Sequence, residues 1–331
     1  GRARAGRARA GRAPAGSRPG REARRTGRGG KGGGLMIWVT WRQHRIQAIA
    51  GLAVFCVLAI TAIALGAWMR AVFDSDGIGR CLAGPGGGCA GVVSAFTGKF
   101  NGGVIVPLVI AVFAIPGMFG AVVGAPLLGR ELEQGTWRLA WSQTVPRTRW
   151  LLTKLALITG TLVVFGAATT AVLTWFDEPL DRVGGRLVLP AFDFEGPLFT
   201  CSLLCSFGLA VLAGLLLRNT IGAMVAAYFA WEAPTAVVAL LGGPIRIPPA
   251  ATMRVPCAAG CPGVTTTSVP PVTGHIGDMV LGLTRSGNQL IVSYIPASRF
   301  WTLQLIAGGL YLVIAAAALG TAIWLLHRRT T

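Results

Sequence analysis

The sequence predicts an all-α, polytopic membrane protein with six transmembrane helices and both termini on the cytoplasmic side. Three observations carry that expectation. The 331 residues are 53% hydrophobic and only 13% charged, whereas soluble domains carry about 25% charged residues. Six apolar runs, near 46–68, 104–128, 151–175, 198–217, 220–241 and 303–326, each approach the about 20 residues that cross a hydrocarbon core of about 30 Å as a helix. The runs lack the alternation of barrel strands, and in lipid only helices or closed barrels satisfy their own backbone groups.

Taken in order, the chain opens on residues 1–35, an Arg/Gly-rich tail. It holds eleven of the Lys and Arg residues against Glu22 alone, so it contributes +10 of the formal +18 and leaves +8 for residues 36–331. Nothing in it can bury a core, so it is expected to be disordered. One reading makes it an arginine-rich arm for nucleic acid or anionic lipid. The other makes it GC-rich upstream sequence that is not part of the native protein, with Met36 as the start. From Met36 to Gln47 the pattern is that of an interfacial helix. Trp38, Trp41 and Arg45 share one face at i, i+3, i+7, with indoles at the headgroup level and Arg42 and Arg45 reaching phosphates. The basic flank of a first span would look much the same. The first apolar run is too long, and too well followed by others, to be a cleaved signal. Pro107, Pro116 and Pro126 predict kinks in the second.

An even number of spans puts both ends on one side, and the distribution of Lys and Arg says which. With the N-terminus inside, the cytoplasmic segments are the Arg42/Arg45 flank, residues 129–150, the turn Arg218-Asn219-Thr220 and the tail His327-Arg328-Arg329, all short and rich in arginine. The outer loops 69–103, 176–197 and 242–302 are long, and acids balance most of their charge. The last, rich in Pro, Gly and Thr, is expected to pack as a small cap, with apolar runs at Met279–Leu283 and Leu290–Ile295 tucked near the membrane. Cys56, Cys201 and Cys205 read as small buried hydrophobes. Cys81 with Cys89, and Cys257 with Cys261, are disulfide candidates if their loops face an oxidising side. Cys257 and Cys261 lack the second ligand pair that a zinc site needs.

Motifs for bond chemistry are missing. The chain has no GxxxxGK[ST] phosphate loop, and His44, His275 and His327 are dispersed. The informative stretch is Gly129–Lys154, charged and helix-capable between two apolar runs. Glu131 and Glu133 open it, where the helix dipole favours carboxylates. Trp137 and Trp141 follow at i, i+4. Pro146 breaks it, and Arg147 and Arg149 lead into the next run. By itself the pattern suits either a displayed helix or a solvated loop with interfacial tryptophans. Glu232 lies in the middle of the fifth run, where a charge costs about 2.5–3.5 kcal/mol. It is either a pathway or dimer-seam group, or a protonated carboxyl bonded to a neighbouring helix.

The stretch ELEQGTWRLAWSQTVPRTRWLLTK, residues 131–154, resembles the cytoplasmic segment between the second and third spans of ABC-2 permeases, the type-2 exporter class of ABC transporter permease subunit. The shared marks are an E-x-E-x-G-T opening and an arginine-led return to the membrane. Met36–Arg45 and Ser298-Arg299-Phe300-Trp301 resemble a bacterial subgroup, and the resemblance extends over residues 36–331. It implies a multi-pass plasma-membrane half-transporter that pairs with a second permease copy, identical or paralogous. It also implies a separate ATP-binding subunit that holds ATP and Mg, with no cofactor in this chain. The matching segment 129–150 would contain the coupling helix, with Glu131, Glu133, Gly135, Thr136, Trp137 and Arg147 facing the ATPase. Lipid is then the other partner, and no specific nucleic acid is expected. Two other classes compete. One is a polytopic enzyme with its site among Asp177, Glu178, Asp181, Asp193 and Glu195, acids interrupted by Arg182 and Arg186 that read more simply as a solvated loop. The other is a membrane-anchored nucleic-acid binder using the basic tail.

Overall fold

The computed structural model describes residues 31–84, 89–101, 103, 105–133, 147–187, 190–240, 251–256, 277–286 and 289–328. For 31–44, 101, 131–132, 147–150, 233–240 and 255–256 it describes the backbone alone. Two compact units divide at Arg45: residues 1–45, in which the described part is helical, and residues 46–331, which hold a helix bundle and a small sheet.

Helix α1 runs Lys31–Ser75, so helix begins five residues before Met36, inside the stretch expected to lack structure. Extending an existing helix adds a hydrogen bond per residue without a new nucleus. After α1 come α2 (Ile78–Ala83) and α3 (Ala90–Asn101), tied by a disulfide between Cys81 and Cys89. Next is α4 (Val106–Phe119), continued by a π-helical turn at Gly120–Gly124 and by α5 (Ala125–Glu133). Pro107 sits in the first turn of α4, where no amide donor is needed, and Pro116 inside it. The wide turn therefore falls between the two prolines that interrupt the ladder, Pro116 and Pro126. After residues 134–146 the chain forms α6 (Arg147–Gly184), α7 (Ala191–Phe194), α8 (Leu198–Leu217) and α9 (Thr220–Leu240). It ends with α10 (Phe300–Arg328).

Five helical stretches among the described residues are long and apolar enough to cross a membrane: Arg45–Ser75, Val106–Arg130, Leu151–Gly184, Leu198–Leu217 and Ala297–Arg328. Together they make the chain an integral membrane protein. Helix α9, 21 residues long, occupies the remaining apolar run.

Helix α8 is the centre of the bundle. In its most apolar window 67% of residues are buried, against 6% for α1, whose apolar side chains face outward. Backbones come close because small residues line the contact. Ser206, Ala210 and Gly214 recur every four residues on α8, facing Gly120, Gly124 and Ala125. A Cβ on Gly120 would lie 1.7 Å from Ser206 Oγ, and one on Gly214 would lie 2.5 Å from the Ala125 carbonyl oxygen. Ser206 Oγ donates to the Pro116 carbonyl at 2.5 Å. In lipid such small-residue seams replace the hydrophobic effect as the source of helix association.

The structure is not all-α. Strands β1 (Ala251–Pro256), β2 (Met279–Ser286) and β3 (Gln289–Ile295) form an antiparallel sheet in the order β1-β3-β2. The two apolar runs expected to tuck as a cap are β2 and β3. Leu290 and Val292 are buried while Gln289 is exposed, the period of two that a strand imposes. Ser286 pairs with Gln289, so only Gly287 and Asn288 separate the strands. A Gly-Asn pair between apolar runs is a hairpin signal.

Candidate functional site

The stretch that the sequence singled out begins where α5 ends. Gly135, Thr136 and Trp137 lie outside the described residues, as do Cys257 and Cys261. Glu131 and Arg147 are placed by backbone only, in the last turn of α5 and at the first residue of α6. Glu133, the last residue of α5, is exposed, and its contacts are internal. Its Oε2 accepts from Thr220 Oγ1 at 2.7 Å and from the Thr220 amide at 3.2 Å. Those two bonds, led by the hydroxyl and supported by the charge of Arg130, hold the Glu133 carboxyl below its ordinary pKa.

Thr220 opens α9, and the first amides of a helix have no partner within it. Asn219 Oδ1 accepts from Gly222 N at 3.1 Å, so Asn219 and Glu133 each satisfy one of those donors. Only Arg218 and Asn219 separate α8 from α9. Arg218 takes φ 52°, the left-handed conformation that allows so tight an elbow. Gly129 lies in the same contact: a Cβ there would be 3.5 Å from Thr220 Cα and 3.7 Å from Gly214 Cα.

About 30 Å away, at the other end of the 20-residue α8, buried polar groups gather. Gln304 of α10 is fully buried. Its Oε1 accepts from the Leu198 amide, the first of α8, at 3.2 Å, and its Nε2 donates to the Phe192 carbonyl at 2.5 Å. Beside it, Arg186 Nε lies 3.1 Å from Glu195 Oε2 and 3.5 Å from Asp181 Oδ2. Asp177, one turn before Asp181, is 1% exposed and Glu195 is 2% exposed. These acids, read from sequence as a solvated loop, are therefore largely interior. The reason is that α6 continues to Gly184 and α7 folds back, bringing Glu195 onto the same guanidinium. Burial first, then a hydrogen bond to Asp181 and its charge, push Glu195 well above the usual carboxylate range, while Arg186 opposes them. Burial pushes Asp193 up to about 6. Glu178 faces the other way, to Arg70 at 2.9 Å and Arg182 at 2.6 Å, and the Arg70 guanidinium also stacks on Trp175. Asp181 and Glu195 are thus largely buried acids held on one half-exposed guanidinium. No group of three or more His, Cys, Asp or Glu side chains that could hold a metal ion occurs among the described residues.

Glu232 lies mid-way along α9, half-buried, and hydrogen-bonded to the Tyr228 hydroxyl one turn earlier. Its neighbour Trp231 packs on α4: a Cβ at Gly117 would be 2.7 Å from the indole.

The sequence reading missed Thr220, Gln304 and the seam on α8. The seam had a signal, since Gly120-x-x-x-Gly124 inside an apolar run marks close helix packing. The two capping contacts had none, because their partners are 87 and 106 residues apart.

The described residues thus form a membrane-embedded helical domain with a polar crossover between two membrane-length helices. The chain is a member of the ABC-2 membrane transporter related family, whose pattern matches residues 52–241, from within α1 to the end of α9. The sheet and α10 fall outside the matched residues. Comparison with curated proteins and with solved structures finds no match. Membership makes the chain a membrane permease of an ABC transporter, a transport subunit.

Proposed function

We propose that the chain is the six-span, multi-pass permease subunit of an ATP-driven exporter in the plasma membrane, with cytoplasmic termini. A separate soluble subunit binds ATP with Mg and docks on the segment 129–150. A second permease copy, identical or paralogous, completes the transport path. Besides family membership, one observation carries this proposal. The segment runs from the last turn of α5 into the first turn of α6, so both of its ends continue into membrane-length helices. Displacing it must move those helices. Glu131, Gly135, Thr136, Trp137 and Arg147 are the proposed docking residues. Glu232 is the polar group of the transport path or of the seam between copies. The disulfide between Cys81 and Cys89 suits a loop on the oxidising side, which matches the proposed orientation.

The test is affinity purification of the native complex in mild detergent, followed by mass spectrometry. A soluble protein with a phosphate-binding loop should co-purify with the wild type. It should be lost when Glu131→Lys adds repulsion to the loss of pairing. A wild-type complex with no ATPase, in membranes where the chain is abundant, would remove the proposal. A cysteine at Ser142 should react only with reagent on the cytoplasmic side and one at Thr266 only with reagent outside.

A further inference from the structure

We propose that Glu133 is an internal latch that carries movement of the coupling segment into α9 through Thr220, rather than a contact for the ATPase. The proposal rests on the coupling role of segment 129–150 given above, and it adds a second route by which that segment acts.

The covalent routes are plain: α5 on one side, α6 on the other. The latch supplies another. Glu133 is the last residue of α5 and lies within the segment 129–150, so it moves with the segment. Its Oε2 takes both donors of Thr220, the hydroxyl at 2.7 Å and the amide at 3.2 Å. That amide belongs to the first turn of α9, which has no internal partner for it, so the pull is applied at the start of the helix itself. The elbow cannot absorb the pull. It has two residues, Arg218 already in the left-handed region and Asn219 committed through Oδ1 to Gly222 N at 3.1 Å. Nor can α5 slip along α8, because the Ala125 carbonyl and the Gly129 amide press directly on Gly214, where a Cβ would meet them at 2.5 and 3.2 Å. The end of α5, the elbow and the start of α9 therefore form one mechanical unit.

Downstream on α9 are Trp231, packed on Gly117, and Glu232, bonded to Tyr228. A shift at Thr220 reaches the polar group at mid-helix in a little over three turns. The latch is also releasable. Glu133 is exposed, and water can replace either bond. A carboxylate on two donors of another helix fixes a position without burying a charge.

The test uses the full chain in its native complex, with amide hydrogen exchange read with and without ATP. The variants are Glu133→Ala, Glu133→Gln and Thr220→Val. In Glu133→Ala the ATPase should still co-purify, to within twofold of wild type. Exchange in the first turn of α9 should rise about tenfold, and the ATP-dependent change in α9 should vanish while that in α6 persists. Glu133→Gln keeps an acceptor oxygen and should restore most of the α9 response, which a folding defect would not allow. Thr220→Val, on the other side of the bond, should reproduce the Glu133→Ala pattern in weaker form. Loss of the ATPase from Glu133→Ala alone would make Glu133 a docking residue and overturn the latch while sparing the coupling role. An unchanged ATP response in α9 of Glu133→Ala would also overturn it. Absence of any ATPase from the wild-type complex would remove the coupling role, and the latch with it, and is told apart because no variant is involved.

Discussion

Two helices of this protein begin with the same problem and solve it with opposite chemistry. The first amide of α8, at Leu198, and the first amide of α9, at Thr220, each lack a partner within their helix. Each is satisfied by a side chain from a distant element, Gln304 in one case and Glu133 in the other. At Leu198 the cap is a fully buried neutral amide, which bonds a second backbone group as well. At Thr220 the cap is an exposed carboxylate. The difference follows from water. A charge in the Gln304 position would have to be desolvated, whereas the exposed Glu133 carboxylate bonds its two donors while staying in water. One contact is a fixed joint and the other is made to be broken and remade.

The comparison can be broken most sharply at Gln304. Replacing it with leucine leaves the Leu198 amide and the Phe192 carbonyl facing a side chain that cannot bond them. An expected loss of about 3 kcal/mol follows from two unpaired buried groups. Thermal unfolding in detergent should show a markedly lowered midpoint, and a midpoint near wild type would mean the joint is not structural. Next in size is Gly120→Ala, which tests the seam that fixes α8 between its two ends. The added methyl overlaps Ser206 Oγ, and overpacking of that kind costs about 1–3 kcal/mol.

The two ends should also respond to pH with opposite sign. Asp193, beside the Gln304 end, has its pKa raised by burial to about 6. The folded state then binds more protons than the unfolded state between about pH 4 and 6. The stability it contributes is full below that window and falls as pH rises through it. Glu195 adds to the same trend. Glu133 has its pKa lowered, so its contribution is present above the ordinary glutamate value and is lost as pH falls through the folded value. Asp193→Asn should flatten the loss on the alkaline side, and Glu133→Gln the loss on the acid side, in unfolding curves taken from about pH 2 to 8. The smallest effect belongs to Thr220→Val. It should barely move the unfolding midpoint, yet raise amide exchange at the start of α9 several-fold. A large drop in midpoint would place Thr220 with the fixed joints.

What the sequence made legible, and what it did not, divides along range. Apolar runs declare themselves locally, and the helices at Arg45–Ser75, Val106–Arg130, Leu151–Gly184, Leu198–Leu217 and Ala297–Arg328 lie on five of them. The sheet was written in the alternation of Gln289–Ile295 and the Gly-Asn pair, but a loop rich in proline and glycine masked it. The acids from Asp177 to Glu195 looked solvated because charge density alone does not say where a helix continues. Asp177 and Asp181 share a face only once α6 runs on to Gly184. Glu133 was legible as a site but not as what it bonds, since nothing near it in the chain points to Thr220.

The depth of α8 has a consequence for how the protein is made. The chain emerges in order, and α8 is complete long before α10. Until α10 arrives, Gly208 lacks the Ala315 backbone it packs against, and the Leu198 amide lacks its cap. A nascent protein halted at residue 296 should therefore hold its fourth apolar run in lipid with one side unsealed, open to protease and to chaperones of the membrane. Synthesis of residues 300–328 would cover that side of α8, so protection of α8 from protease should appear only once α10 has been made.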